Sequence, residues 1–156
     1  MMYQKPDFLT DYEFGVLRLY NEGFKVKDIA SQLGKKEGNI RKTKVVVRKK
    51  IEKELQKTAR SLRLDLDISN MPKDAGLLIG FDWIHNTKVF LIFTFTHGII
   101  AWWEHDCKTD ECRKRNRETL DLICSERNIQ LTPEEGNLST REQFLKVIEL
   151  IQMKKE

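Results

Sequence analysis

The chain has few cysteines, no long apolar run and none of the short motifs of common enzyme active sites. No hydrophobic stretch reaches the length of a bilayer span, and the opening residues Met-Met-Tyr-Gln-Lys-Pro-Asp lack the apolar segment of a signal peptide. The three cysteines are an odd number, which argues against a secreted disulfide framework. We therefore expect a cytoplasmic protein without a membrane partner.

Catalytic patterns are absent as well. The sequence contains no Gly-rich phosphate loop, no nucleophile elbow and no His-Glu-x-x-His motif. The remaining polar candidates lie scattered near the ends of predicted strands: Asp82, His85, Glu104 and His105. An enzyme is therefore not expected.

The chain does contain the spacing of a helix-turn-helix, between residues 8 and 51. Thr10 followed by Glu13 is a capping-box pattern that predicts a helix start, and Gly23 supplies a left-handed stop. The first helix and its N-terminal flank carry the apolar residues Leu9, Phe14, Val16, Leu17 and Tyr20. A second, short helix is indicated by Val26, Ile29, Ala30 and Leu33. Gly34 then turns the chain into a third helix that begins near Lys36.

The third helix is strongly basic. Between Lys35 and Arg63 there are 12 Lys or Arg against 3 Glu, although the whole chain carries a net charge of only +4. Ile40, Val47 and Ile51 are predicted to face inward, so that the cations spread over the outward surface. A solvated charged helix is the simpler explanation. A surplus confined to a helix-turn-helix nevertheless favours a polyanionic partner, double-stranded DNA.

Position along this helix divides the expected DNA contacts into two groups, because the major groove admits only the start of such a helix at base-edge distance. The first turns are expected to read bases, through Lys36, Glu37, Asn39, Arg41 and Lys42. Later residues are expected to contact phosphates: Lys44, Arg48 and Lys49.

Several short stretches give roughly the first 55 residues a resemblance to a known family. They are Phe8-Leu9-Thr10, Val16-Leu17-Arg18-Leu19, Gly23, Asp28-Ile29-Ala30, Leu33-Gly34, Asn39-Ile40, Arg48 and Ile51-Glu52-Lys53. Together they resemble the DNA-binding half of Tfx-type archaeal regulators and, more distantly, region four of sigma-70-class factors and LuxR-type effector domains. The resemblance implies a transcription regulator with the helix from Lys36 in the major groove. The chain departs from the pattern at Lys35-Lys36-Glu37-Gly38, where such proteins usually show a small hydroxyl residue and no glycine.

The third helix is predicted to span about 25 residues, because nothing from Thr43 to Arg63 breaks it. Ile51, Leu55 and Leu62 fall on a short heptad-like seam along its later half. This seam either pairs two subunits or packs on the chain's own second domain. We expect a homodimer that uses the seam, with DNA half-sites at a fixed spacing.

Composition and periodicity change after this helix. Residues 1 to 64 are predicted as the DNA-binding domain, residues 65 to 74 as a linker of acids, Ser, Asn and Pro, and residues 75 to 156 as a small α+β domain. Three β-rich runs, 75–83, 88–95 and 99–103, predict an antiparallel meander, with 129–131 as a fourth short strand. Helices are predicted from about Thr109 to Arg127 and from Ser139, on one face of the sheet.

The second domain contains 12 basic and 16 acidic groups between residues 64 and 156, so another nucleic-acid clamp is not expected there. Consecutive Trp102 and Trp103 on a strand must point to opposite faces, and one of them therefore meets a partner, a ligand or the DNA-binding domain. Packing or subunit contact is favoured over a small-molecule pocket, because aromatic stripes at strand spacing are usually structural. A small-molecule or protein effector at this domain is the alternative.

His105, Cys107 and Cys112 form the one metal-like group in the sequence. Zinc prefers four nitrogen or sulfur ligands, and its structural sites usually have more closely spaced cysteines. The loose spacing therefore favours free thiols at these positions. A zinc site and a Cys107–Cys112 disulfide are the two alternatives. No other cofactor is expected.

These patterns predict a dimeric, sequence-specific DNA-binding transcription regulator. The alternative is an adaptor that recruits the transcription machinery through its second domain and has only general affinity for DNA.

Overall fold

The computed structural model describes residues 5–67, 71–72 and 76–153. Three helices come first: α1 (Asp11–Asn21), α2 (Val26–Leu33) and α3 (Glu37–Ser61). They are followed by the strands β1 (Asp65–Leu66), β2 (Leu77–Asp82), β3 (Thr87–Thr94) and β4 (Gly98–Trp103), and then by α4 (Asp110–Arg127) and α5 (Thr140–Met153). A single 3₁₀ turn, Glu135–Asn137, lies between the last two helices. The predicted fold class, a helical part with a long third helix followed by an α+β part, is confirmed.

Local signals define the helix-turn-helix. The hydroxyl of Thr10 accepts the Glu13 backbone N–H at 3.1 Å while the Glu13 carboxylate accepts the Thr10 N–H at 2.9 Å, which confirms the capping box. Gly34 ends α2 in the left-handed conformation, with φ of 63°, and the turn to α3 is only three residues long. A small core holds the three helices together and consists of Val16, Ile29, Ala30 and Ile40.

The four strands form one antiparallel sheet in the order β1-β2-β3-β4. Asn86 and Gly98 have positive φ angles, 53° and 66°, at the two hairpin turns. The predicted strand at Ile129–Leu131 is wrong, because Asn128 caps α4 in the left-handed conformation and the Ile129 N–H bonds back to the Cys124 carbonyl at 2.9 Å. Ile129 and Leu131 therefore pack on the core of α4 and α5 and do not join the sheet.

The fourth strand is instead β1, at the start of the predicted linker. Its residues Asp65 and Leu66 pair with Phe81 and Gly80 of β2. Residues 68–70 and 73–74 of the predicted linker, together with the predicted first strand residue Ala75, lie outside the described residues.

The sheet is the middle layer of the molecule. Alternation along β3 directs Phe90 and Ile92 into a core with α4 and α5, and Val89, Leu91 and Phe93 into a core with α1 and α3. The prediction of α4 and α5 on a single face agrees with this arrangement, and α3 covers the opposite face. Residues of both predicted domains thus contribute to the core between the sheet and the helices α1 and α3.

The structure corrects the assignment of Ile51, Leu55 and Leu62 to a subunit seam. Ile51 and Leu55 are only 4% and 1% exposed and belong to the core that contains Leu78 and Leu91, and Leu62 is half-buried against it. Their apolar surface is already covered by the chain's own sheet, which was the alternative use of the seam. Whether two chains associate stays a prediction.

Candidate nucleic-acid interface and His-Cys cluster

The first turns of α3 form an exposed polar surface. All five residues expected to read bases are exposed: Lys36, Glu37, Asn39, Arg41 and Lys42. Ile40, on the other side of the helix, is fully buried in the helix-turn-helix core. Glu37 and Arg41 form an exposed ion pair at 3.8 Å, one helical turn apart. Such a pair contributes only about 0.3 to 0.5 kcal/mol, so it exchanges readily for another partner.

The three residues expected to contact phosphates differ in their surroundings. Lys49 is exposed, but Lys44 and Arg48 are half-buried. The Lys44 ammonium lies 3.8 Å from the centre of the Tyr20 ring, a cation–π contact between α3 and α1. Sequence spacing did not indicate this contact, because the two residues are on different helices and become neighbours only on folding.

A partly buried ion pair joins α1 to α3. The Lys50 ammonium is 2.8 Å from the carboxylate of Glu13, which is only 8% exposed. Burial raises the pKa of Glu13, but the hydrogen bonds from Lys50 and from the Thr10 backbone outweigh it, and the net effect is a lowered pKa. Lys50 therefore positions the helices and contributes less to the outer cationic surface.

Asp82 and His85, which the sequence left scattered, form one corner of the sheet. The Asp82 carboxylate accepts a hydrogen bond from the Trp103 indole at 2.9 Å and lies 2.7 Å from His85 Nδ1. These two contacts, the one from Trp103 first, hold the pKa of Asp82 at about 2. With two further backbone N–H donors, from Ile84 and His85, its oxygens are used in closing the turn.

The adjacent tryptophans do face opposite ways. Trp102 is 5% exposed and stacks on Phe144 of α5 with ring centres 4.0 Å apart. Trp103 lies against the core shared with α3. Trp103 thus packs on the side of the sheet that faces α1 and α3, opposite to the α4–α5 core.

The His-Cys cluster is assembled at the N-terminus of α4. His105 Nε2 lies 3.3 Å from Cys112 Sγ and 3.7 Å from Cys107 Sγ, and all three ligand atoms are within 4.8 Å of one another. Cys107 and Cys112 are joined as a disulfide, so the expectation of free thiols is wrong for this pair. Asn116 was not predicted as a member, yet its amide donates to Cys107 Sγ at 3.0 Å.

The third cysteine, Cys124, is free and half-buried on α4. Burial raises the pKa of its thiol, which makes it a poor nucleophile at neutral pH. It lies in the packing between α4 and its neighbours, away from the cluster.

A separate feature is the tip of the β2–β3 hairpin, where Trp83 and Ile84 are 69% and 78% exposed. Within the described residues, no helix is both long enough and apolar enough to cross a membrane. Comparison with protein-family models, curated proteins and solved structures found no match to this chain. Function must therefore be inferred from the geometry and the sequence pattern.

Proposed function

We propose that this protein is a sequence-specific DNA-binding transcription regulator that inserts the N-terminal turns of α3 into the major groove. The observation that carries the proposal is the exposed, polar start of α3 directly after a three-residue turn from α2. The net charge of the segment from Lys35 to Arg63 supports it, with 12 basic groups against 3 acidic ones. The resemblance to Tfx-type regulators points the same way.

The length of the first part of α3 also suits insertion into the major groove. Val47 is the first residue of α3 in the core shared with the sheet. The ten residues from Glu37 to Val46 therefore precede the part of α3 that packs on the sheet, and they correspond to a helix length of about 15 Å at 1.5 Å per residue. The major groove is about 12 Å wide and admits a helix of about 10 to 12 Å diameter, so these residues, which make just under three turns, can enter it.

Selection of bound fragments from the source genome, followed by footprinting, tests the proposal. A regulator should protect one defined site. On that site, Asn39→Ala and Arg41→Ala should each cost about 1 to 3 kcal/mol, with little effect on random DNA. Lys49→Ala should weaken binding to all DNA alike and reduce the slope of log affinity against log salt by about one unit.

Lys114→Ala is the matched control, since Lys114 is an exposed basic residue on α4. It should change neither affinity nor the salt slope. If alanine at all five reading positions leaves the preference between specific and random DNA unchanged, the helix-in-groove proposal fails.

The second candidate is the adaptor, and the exposed hairpin tip favours it. Two large apolar side chains, Trp83 and Ile84, are the kind of surface that partner proteins cover. An adaptor should bind random and selected DNA with equal affinity. In an adaptor, Trp83→Ser should also abolish binding to a protein of the transcription machinery. In a sequence-specific regulator, Trp83→Ser should leave the DNA footprint unchanged.

Zinc is a further, narrower proposal, carried by the closeness of His105, Cys107 and Cys112. Thiolates and not disulfide sulfurs bind zinc, so the site requires reduction of the Cys107–Cys112 bond. In the presence of a phosphine reductant, the protein should bind one zinc ion, and Cys107→Ser should abolish binding while Cys124→Ser should not. Equal zinc content in both variants would contradict the site.

A further inference from the structure

An open cleft of about 610 Å³ lies between the helix-turn-helix and the sheet. Its apolar wall includes Val16, Leu17, Val45, Ile51, Phe93 and Phe95. Small-molecule sites typically have volumes of about 300 to 1,000 Å³ and occur preferentially between domains. The cleft is therefore large enough for one organic ligand.

Positive charge surrounds this apolar wall. The lining includes four cations, Arg41, Lys44 and Arg48 of α3 and Arg127 of α4. Among the lining residues that the structure describes, the one acid is Glu126, whose carboxylate accepts the backbone N–H groups of Phe95 and Thr96 at 2.8 and 3.0 Å. The excess charge of the cleft is thus positive.

Arg127 approaches the cleft from the side opposite to α3. Its guanidinium lies 3.3 Å from the Phe93 carbonyl, which holds the charge beside the apolar wall. A ligand between α3 and β3 would therefore meet cations on two sides and apolar side chains beneath. An anion with an apolar body complements both features, whereas a cation would be repelled.

We propose that this cleft binds a small organic anion with an apolar body, and that binding of the anion releases DNA. The first half of this inference stands on the cleft alone, and the second half rests on the proposed function. Arg41, Lys44 and Arg48 both line the cleft and belong to the predicted DNA contacts. An anion that neutralises them removes charge that the phosphates would otherwise use.

Linkage makes the coupling reciprocal: DNA must lower the affinity for the anion by the same factor as the anion lowers the affinity for DNA. The salt dependence should change too. With the anion bound, the slope of log DNA affinity against log salt should be smaller by about one to two units, because fewer phosphates are neutralised.

Calorimetric titration of the full chain with decanoate, below its micelle-forming concentration, tests the site directly. Decylamine has the same apolar body with the opposite charge and is the matched control. Decanoate should bind with a stoichiometry of one and a dissociation constant below about 1 mM, and decylamine should not bind. Equal binding of both compounds, or no binding of decanoate, overturns the proposal.

Two variants locate the binding. Arg127→Gln removes the cation that lies outside the predicted DNA surface, and Asn21→Asp adds a negative charge to the lining without changing its shape. Each should weaken decanoate binding about tenfold or more, because a charge-assisted contact is lost or opposed. Thermal melting identifies any variant that fails to fold. If both variants fold and bind decanoate as the wild type does, the ligand is elsewhere and the assignment of the cleft is wrong.

The DNA measurements separate this inference from the proposed function. If the wild-type protein does not bind DNA in the absence of decanoate, the proposed function is refuted. One-to-one binding of decanoate would still support the anion site in that case. Wild-type protein that binds DNA equally with and without saturating decanoate would overturn the release of DNA. If decanoate lowers the DNA affinity of the wild type but not that of Arg127→Gln, both the anion site and the release of DNA are supported.

Discussion

The two halves of α3 have similar sequences and opposite surroundings. Both are rich in Lys and Arg, and both carry apolar residues at helical spacing. From Glu37 to Val46, Ile40 is the single buried residue and packs on the small helix-turn-helix core. In the second half, a stripe with a spacing of four residues is at most 4% exposed and lies across the sheet: Val47, Ile51, Leu55 and Ala59.

One helix therefore carries an exposed surface along its first half and a stabilising surface along its second half. Side chains of the first half that point outward contribute little to the free energy of unfolding, so substitutions there can serve a binding role at little cost to stability. The second half instead joins the helix to the sheet through contacts that any polar substitution would disrupt. The boundary lies between two neighbouring residues, Val46 and Val47.

The largest expected effect breaks the second half. Leu55→Asp places a carboxylate in a site that is 1% exposed, and the loss of apolar burial together with the unpaired charge should destabilise the protein by about 4 kcal/mol or more. Circular dichroism melting should show an unfolded or barely folded chain. Lys53→Asp, at an exposed position of the same half, should change stability by no more than about 0.5 kcal/mol. A stable, folded Leu55→Asp monomer would restore the subunit-seam interpretation.

Neighbouring valines sharpen the boundary. Val47 is 2% exposed and Val46 is 43% exposed. Val47→Ala should cost about 2 to 3 kcal/mol from two lost methyl groups and the cavity they leave, whereas Val46→Ala should cost nothing, because alanine is the better helix former. Urea denaturation of both variants gives the two free energies. Equal losses would mean that the halves do not differ as described.

Two glycines test how closely the chain is packed near the two ends of α3. A Cβ atom on Gly80 of β2 would lie 2.9 Å from Leu64 Cβ, just beyond the end of α3. Gly80→Ala should therefore destabilise the protein by about 1 to 3 kcal/mol. Gly38, in the first half of α3, has open space around it, and Gly38→Ala should stabilise the protein by up to about 1 kcal/mol. Melting temperatures that move in the same direction for both variants would contradict this difference.

The smallest expected effect lies at the junction of the halves, where Lys50 meets Glu13. Lys50→Gln should cost about 1 kcal/mol at neutral pH, and the exposed control Lys53→Gln much less. Because folding lowers the pKa of Glu13, its contribution is complete above the pKa of an unfolded glutamate and is lost as the pH falls through the lower, folded-state pKa. The stability difference between wild type and Lys50→Gln should therefore shrink in acid. A difference that grows there would rule out this pair as its cause.

Local patterns were enough to predict the five helices and the strands β2, β3 and β4. The Thr10–Glu13 capping box and the left-handed Gly34 act within one turn of the chain, so the boundaries of α1 and α2 follow from neighbouring residues. Alternation along β3 likewise specifies which side chains share a face. The strand predicted at 129–131 shows where local patterns are insufficient. The direction of a short apolar segment depends on the end of the preceding helix, here the left-handed cap at Asn128.

Spacing along the chain was enough to identify which faces of each helix and strand are apolar and where the positive charge lies. The contacts that cover those faces became evident only in the folded protein: Leu55 packs on the chain's own sheet, Cys107 bonds to Cys112, and Lys44 contacts Tyr20. Spacing is a local property, whereas the choice of a partner surface depends on the competition among all apolar and charged surfaces that folding brings together.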